Sequence, residues 1–324
     1  MGAPDDGANG LARRRASTLF AAGQYEQAAA EARAGLAVDP EDAALLVTLA
    51  SALTELDDKR GCEAAERAVA LAPDWARAHG ALGDAHLVTT RNGHAAFQAY
   101  NAAAQLAPEQ YTHYAGRAQA TLLLLPGRRQ IEVTKKRRNE LLASAARDAD
   151  YAIVLAPDSS FAHTVRARVH LAAGESWYAN EAAKKALSID PTSSYALQAR
   201  GLAMQQLGDV RGASEAFVAA GRQDPRSEQS IKHLRNLKVA APASLAAVWV
   251  ASRIVLAASG GGSSAGVTFT SILFATALLV FLLWRRRRVG QMSAEAQQAL
   301  RVDRQLRRSK TLQRVRHWLP HRHR

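Results

Sequence analysis

Pro157, Pro191 and Pro225 stand 34 residues apart. Each of the last two closes a segment of the same plan: an apolar helical pattern, a central glycine, a second pattern rich in alanine, then Asp-Pro. FAHTVRARVHLAAGESWYANEAAKKALSIDP is followed by YALQARGLAMQQLGDVRGASEAFVAAGRQDP. A fixed period of this length marks stacked helical hairpins. Pro40, Pro73 and Pro108 extend the register backwards, with successive gaps of 33, 35, 49, 34 and 34 residues. Proline cannot continue a helix, so each one marks the end of a second helix. Small residues recur where the two helices of a hairpin cross and their backbones approach. One hairpin cannot bury its own apolar face, so neighbours must stack. The expectation is an all-α solenoid of six hairpins over residues 11–225.

Particular residues carry a more specific pattern. In the third unit Leu82 and Gly83 form a Leu-Gly pair, Ala96 and Ala103 flank Tyr100, and Pro108 closes. The fifth has Ala167 in the glycine's place, then Gly174, Ala179, Ala186 and Pro191. The sixth has Gly201, Gly208, Ala213, Phe217, Ala220 and Pro225, and the first Gly23, Tyr25, Ala28 and Pro40. On these residues the chain resembles the tetratricopeptide repeat family. The resemblance implies that first helices line a concave groove that takes an extended peptide or a partner helix. Carried across by register, the groove positions are Arg13, Ser17, Ser51, Asp84, Gln119, Thr164, Arg168, Gln198 and Gln205. Some members clamp a C-terminal carboxylate with a paired Lys and Asn. Here the paired positions hold Arg13 with Ser17, Val47 with Ser51, Gly80 with Asp84 and Ala115 with Gln119, so that ligand is not implied.

The net charge of +13 is unevenly spread. Residues 1–238 hold 28 basic against 27 acidic side chains, residues 239–284 only Arg253, and residues 285–324 hold 13 against 2. The repeat body is nearly neutral, and the basic character belongs to the tail. Residues 1–10 are rich in Gly, Pro and Asp and read as a disordered leader. Cys62 is the single cysteine, which precludes an intramolecular disulfide and reads as a buried, inert thiol.

Two apolar runs follow the repeats. SEQSIKHLRNLK, within 226–238, reads as an amphipathic capping helix with Ser227 as N-cap. Residues 239–258 and 267–284 flank a Gly/Ser loop, SGGGSSAG. The second run has 18 uncharged residues, about 27 Å of helix, which matches a hydrocarbon core of about 30 Å. The first contains Arg253, five residues from Ala258, where it can snorkel; a full span and an interfacial segment are both open. Lys232, Arg235 and Lys238 precede the pair, Arg285, Arg286, Arg287 and Arg288 follow it, and the loop has no charge. The expectation is a two-span hairpin in the cell membrane, with the repeats and the tail in the cytoplasm.

Two basic regions remain. The fourth unit is about 15 residues longer than the rest, an insertion near 126–140 carrying Arg128, Arg129, Lys135, Lys136, Arg137 and Arg138. It reads first as an extended, solvated second helix and second as a contact for acidic lipid or protein. The tail, 285–324, reads as a basic segment on an anionic inner leaflet. The alternative is that tail and insertion bind nucleic acid or the ribosome, with the repeats as a spacer; Trp318, the tail's single aromatic, offers little base stacking.

No nucleotide loop, metal-ligand cluster or nucleophile motif is present, so no cofactor, metal or enzymatic activity is expected. His79 with His86 and His163 with His170 hold corresponding positions seven residues apart, and read as packing side chains rather than metal ligands. The function expected is a membrane-tethered scaffold that binds a protein partner through its groove.

Overall fold

The structure, a computed structural model, describes residues 8–125, 135–224, 229–239, 279, 283–284 and 286–305, and no strand occurs among them. They fall into two compact units, Met1–Glu175 and Ser176–Arg324.

The first unit holds α1 (Ala8–Ala21), α2 (Tyr25–Val38), α3 (Ala43–Glu55), α4 (Arg60–Leu71), α5 (Ala76–Ala85), α6 (Gly93–Leu106), α7 (Tyr111–Leu123), α8 (Lys135–Leu155) and α9 (Ser160–Ala173). A π turn, His86–Thr90, prolongs α5. α1 with α2, α3 with α4, α5 with α6 and α7 with α8 form the expected hairpins. Their cores are built largely of alanine: Ala16, Ala28, Ala32, Ala50 and Ala65 are fully or almost fully buried in the first two. Alanine costs no side-chain entropy in a helix and lets axes approach closely. Side-chain caps start the helices where the sequence supplies them. Asp42 accepts from the Leu45 amide at 3.1 Å, Asn92 from Ala95 at 3.1 Å and Ser159 from Ala162 at 3.2 Å.

The irregular spacings have local causes. The 35-residue third unit carries the π turn, whose wider winding takes in one residue more than an α turn. The long fourth unit is explained in part by α8, which runs for 21 residues and begins at Lys135. The basic insertion is therefore helix from Lys135 onward; 126–134 lies outside the described residues. Arg138 donates to the Ala172 carbonyl at 2.5 Å, beside the C-terminus of α9, where a cation is favoured. The leader is shorter than expected, because α1 already begins at Ala8. Residues 1–7 lie outside the described residues.

Consecutive first helices touch, α1 with α3, α3 with α5, α5 with α7 and α7 with α9, whereas consecutive second helices barely meet. A row of rods spaced more tightly on one side curves towards that side. The first helices therefore line the concave face of this unit.

The second unit holds α10 (Ser176–Ile189), α11 (Ser194–Leu207), α12 (Val210–Gln223) and α13 (Gln229–Val239), followed by α14 (286–291) and α15 (294–305). α13 is the expected capping helix: Leu234 and Leu237 are buried against Phe217 and Val210. The Ser227 cap lies outside the described residues. The tail is expected to lie on the membrane surface, and the structure instead supplies part of it with a partner within the chain. Met292, Ala296 and Leu300 join the same buried cluster, the Ser293 amide donates to Ser214 Oγ at 2.9 Å, and Arg288 Nε donates to the Leu237 carbonyl at 3.1 Å. One face of residues 288–300 of the tail is thus packed on the terminal hairpin rather than free to lie on lipid. Residues 306–324 lie outside the described residues.

Among the described residues no helix is long and apolar enough to cross a membrane. The two runs expected to span, 239–258 and 267–284, lie outside the described residues except for Val239, Leu279, Leu283 and Trp284.

Candidate functional site

The concave face of the first unit gathers several of the expected groove positions. Arg13 and Ser17 are exposed on α1. Arg13 Nε donates to Asp42 Oδ2 at 2.6 Å, and that carboxylate, whose side chain is 1% exposed, also caps α3. Arg13 is therefore partly a bolt between the first two hairpins. Ser51 is half-buried on α3. Gln119 of α7 accepts a hydrogen bond from Arg168 of α9, which ties two neighbouring first helices together on the concave side.

Two of the expected positions are buried. Thr164 is 2% exposed and its hydroxyl donates to the Ser160 carbonyl at 2.8 Å; Gln198 is 8% exposed between Leu197 and Ala199, which are also buried. Buried side chains at these positions are not presented to a groove. Gln198 and Gln205 belong to the second unit, and Gln205 is half-buried.

Asp84 is the chemically distinct member. Tyr100, on α6, is 3% exposed, and its ring is wedged between α5 and α7. A Cβ on Gly83 would lie 2.8 Å from that ring and one on Gly116 only 2.3 Å, so glycine at both positions makes room for it. The ring's hydroxyl emerges beside Asp84 and donates to Oδ1 at 2.5 Å. Asp84 is exposed to solvent, yet its surroundings partly desolvate the carboxyl. A side chain on the floor of a concavity has both properties. The crowding raises its carboxyl pKa to about 6 from the ordinary 3.8, against the opposing pull of the Tyr100 hydrogen bond. Burial first, then the Asp84 charge, pushes the Tyr100 phenol well above its usual value.

The histidine pairs follow the repeat. His79 Nε2 donates to the Pro73 carbonyl at 2.8 Å, and His163 Nε2 to the Pro157 carbonyl at 2.9 Å. Each ties a first helix to the proline that closes the preceding unit. Sequence reasoning missed the Tyr100 hydroxyl as a polar group delivered to the groove. The available signal was Tyr rather than Phe at the aromatic position, with Asp directly after the facing glycine.

In the second unit a cleft of about 680 Å³ lies between the start of α12 and the α14–α15 turn, lined by Asp209, Arg211, Gln291, Ser293 and Gln297 among others.

No protein-family model matches the sequence, and no curated protein matches it. Solved structures do match the fold. A tetratricopeptide repeat protein from Parabacteroides merdae superposes with a TM-score of 0.56 at 15% identity, covering 70% of this chain and 83% of its own. PilW, a type IV pilus biogenesis factor, superposes with a TM-score of 0.53 at 17% identity, covering 71% of this chain and 100% of its own. At such identities the likeness speaks for the fold alone: the repeat region is a tetratricopeptide-like arrangement of helical hairpins.

Proposed function

We propose that this chain is a membrane-tethered, non-enzymatic scaffold that holds a protein partner, as an extended peptide or a helix, against the concave face of its first helices. The observation that carries the reading is that face itself. Asp84, Gln119 and Arg168 present polar groups from three successive first helices of one curved row, and polar groups so spaced can engage a segment lying across the helices.

The tether reading is supported by where the apolar stretch begins and ends. α13 leads into it and α14 follows it, and Arg288 lies hydrogen-bonded to Leu237. A stretch whose two ends are fastened together on one unit crosses a bilayer an even number of times. Two spans then place the repeats and the tail on the same side, which the flanking positive charge makes the cytoplasm. Arg286 and Arg287 are exposed beside exposed Leu283 and Leu279, as a segment entering an anionic surface from the cytoplasm requires. Tethering would raise the partner's effective concentration near membrane complexes.

The test is photo-crosslinking in native membranes. A photoreactive residue replacing Gln119 should yield one discrete protein adduct, and one replacing Arg147, exposed on second helix α8, should not. Equal labelling from both positions would remove the groove assignment. Reporter fusions at Gly10, Gly261 and Arg324 should report inside, outside and inside; any other order removes the two-span tether.

A further inference from the structure

The first helices of the first unit carry two carboxylates, Glu55 in the last turn of α3 and Asp84 in α5. Several of the arginines there are matched to acids from second helices or helix caps: Arg13 with Asp42, Arg117 with Asp148 at 2.7 Å, and Arg166 with Asp150. No lysine or arginine among the described residues pairs with Asp84; its one partner is a neutral hydroxyl. α3, α4, α6, α7 and the π turn pack around α5. Of their titratable groups only Tyr100 acts on this carboxylate. His86 and His113 have their pKa values lowered by burial, so neither supplies positive charge at neutral pH. Glu55 and the charged side chains of α4 do not act on it.

An ionised carboxylate in crowded surroundings without a counter-charge is costly to the folded chain. Here the surroundings are also fixed. Gly83 and Gly116 admit the Tyr100 ring, and the ring holds the hydroxyl against one carboxylate oxygen. The carboxylate remains open to the groove. A positive group arriving from outside meets an oriented, partly desolvated anion with no competing cation, the arrangement in which a charge-assisted hydrogen bond is strongest.

We propose that Asp84 is the recognition point for a basic side chain, lysine or arginine, carried by the segment that the groove binds. The inference rests on the groove reading above and adds the chemistry of the partner to it. Asp84 supplies the counter-charge, and Tyr100 is a positioning residue that acts through it.

The experiment pans a random-sequence peptide library on phage against the full chain purified in detergent. Enriched peptides are synthesised, and their Kd is measured at pH 7.5 against the unaltered chain, Asp84→Asn and Arg168→Glu. The enriched peptides should share one lysine or arginine. Replacing it with norleucine should weaken binding to the unaltered chain by about 10-fold. Asp84→Asn should weaken binding of the parent peptide by a similar factor and that of the norleucine peptide no further, which marks the two as one interaction. Affinity of the parent peptide should also fall as pH is lowered through about 6, where the carboxylate takes up its proton. Tyr100→Phe keeps the ring and should weaken binding less than Asp84→Asn. Peptides lost on Arg168→Glu but indifferent to Asp84→Asn and to norleucine would overturn this inference and leave the groove standing. Peptides indifferent to every groove substitution, or no enrichment at all, would overturn both. The norleucine comparison uses only the unaltered chain, so a folding defect in a variant cannot obscure the result.

Discussion

Tyr100 and Phe217 do the same structural work in two separate units. Each is the aromatic of a second helix, each is buried, and each fills space left by a glycine on its own first helix, Gly83 and Gly201 respectively. Each ring also meets the next first helix at the same repeat position: Tyr100 meets Gly116, and Phe217 stacks on His233 with centroids 5.0 Å apart. They differ in one oxygen atom, in the residue met on the next helix, and in the residue that follows the facing glycine. Asp84 follows Gly83 where partly buried Leu202 follows Gly201, so one hairpin ends its aromatic in a hydrogen bond and the other in an apolar cluster. The comparison shows how a repeat acquires chemistry without changing its packing: the ring is fixed by the fold, and the hydroxyl and carboxylate are added to it together.

Removing the rings should have the largest effect. Phe217→Ala leaves a cavity in the cluster that holds α13 and α15, and should cost about 3–5 kcal/mol, read as a lower denaturation midpoint. Tyr100→Ala should cost a similar amount. A loss below 1 kcal/mol at either position would mean that the ring is not a keystone of its hairpin. Swapping the rings sharpens the contrast. Phe217→Tyr places a hydroxyl beside Leu202 instead of a carboxylate and should cost about 1–3 kcal/mol, whereas Tyr100→Phe should cost about 1 kcal/mol or less, because water reaches Asp84.

Gly116→Ala comes next. A Cβ there would stand 2.3 Å from a ring already wedged against Gly83 on its other side, so overpacking should outweigh the helix propensity gained, for a net loss of about 1–3 kcal/mol. Unchanged stability would mean that the wedge is loose.

The Asp84 charge should have a smaller effect, and one that depends on pH. Its folded-state pKa, about 6, lies above the ordinary 3.8. Between those values the folded chain retains a proton that the unfolded chain has lost, so stability falls as pH rises from about 4 to 6 and is level above that. Solvent reaches the group and screens it, which limits the penalty to about 1 kcal/mol. Asp84→Asn should therefore be more stable than the parent at pH 7 by about that amount and equal to it near pH 4. A pH-independent difference would mean that the carboxylate is not crowded.

Much of this was legible in the chain. The prolines gave the hairpins, and Gly23, Gly174 and Gly208 stand at positive φ where α1, α9 and α11 end. Alanine at the crossing positions gave the core. The face of a given first-helix residue was less legible, since Thr164 and Gln198 hold groove positions by register but are buried. Burial at one position depends on what the rest of the fold brings against it, which the repeat register alone does not contain. The return of the tail was hidden for another reason. Met292, Ala296 and Leu300 form a stripe at helical spacing, but it lies within a strongly basic segment, and the surface it fits is on the far side of a long apolar run in sequence.

The smallest test concerns the turns that close the first helices of the two hairpins compared above. Gly208 ends α11 at φ 86°, a left-handed conformation that glycine adopts freely. Arg91 closes the π turn after α5 at φ 51°, where a Cβ is strained by about 1–2 kcal/mol. Glycine in its place would relieve the strain but add unfolded-chain entropy worth about 0.5–1 kcal/mol. Arg91→Gly should therefore stabilise by about 0.5 kcal/mol. Asp57 holds φ 55° after α3 and serves as the control, because aspartate tolerates this region better than arginine. Asp57→Gly should gain less. If Arg91→Gly instead destabilises, the arginine side chain is holding the π turn together. The extra residue of the third repeat would then be a maintained feature that sets where Tyr100 meets Asp84, rather than an insertion the helix merely tolerates.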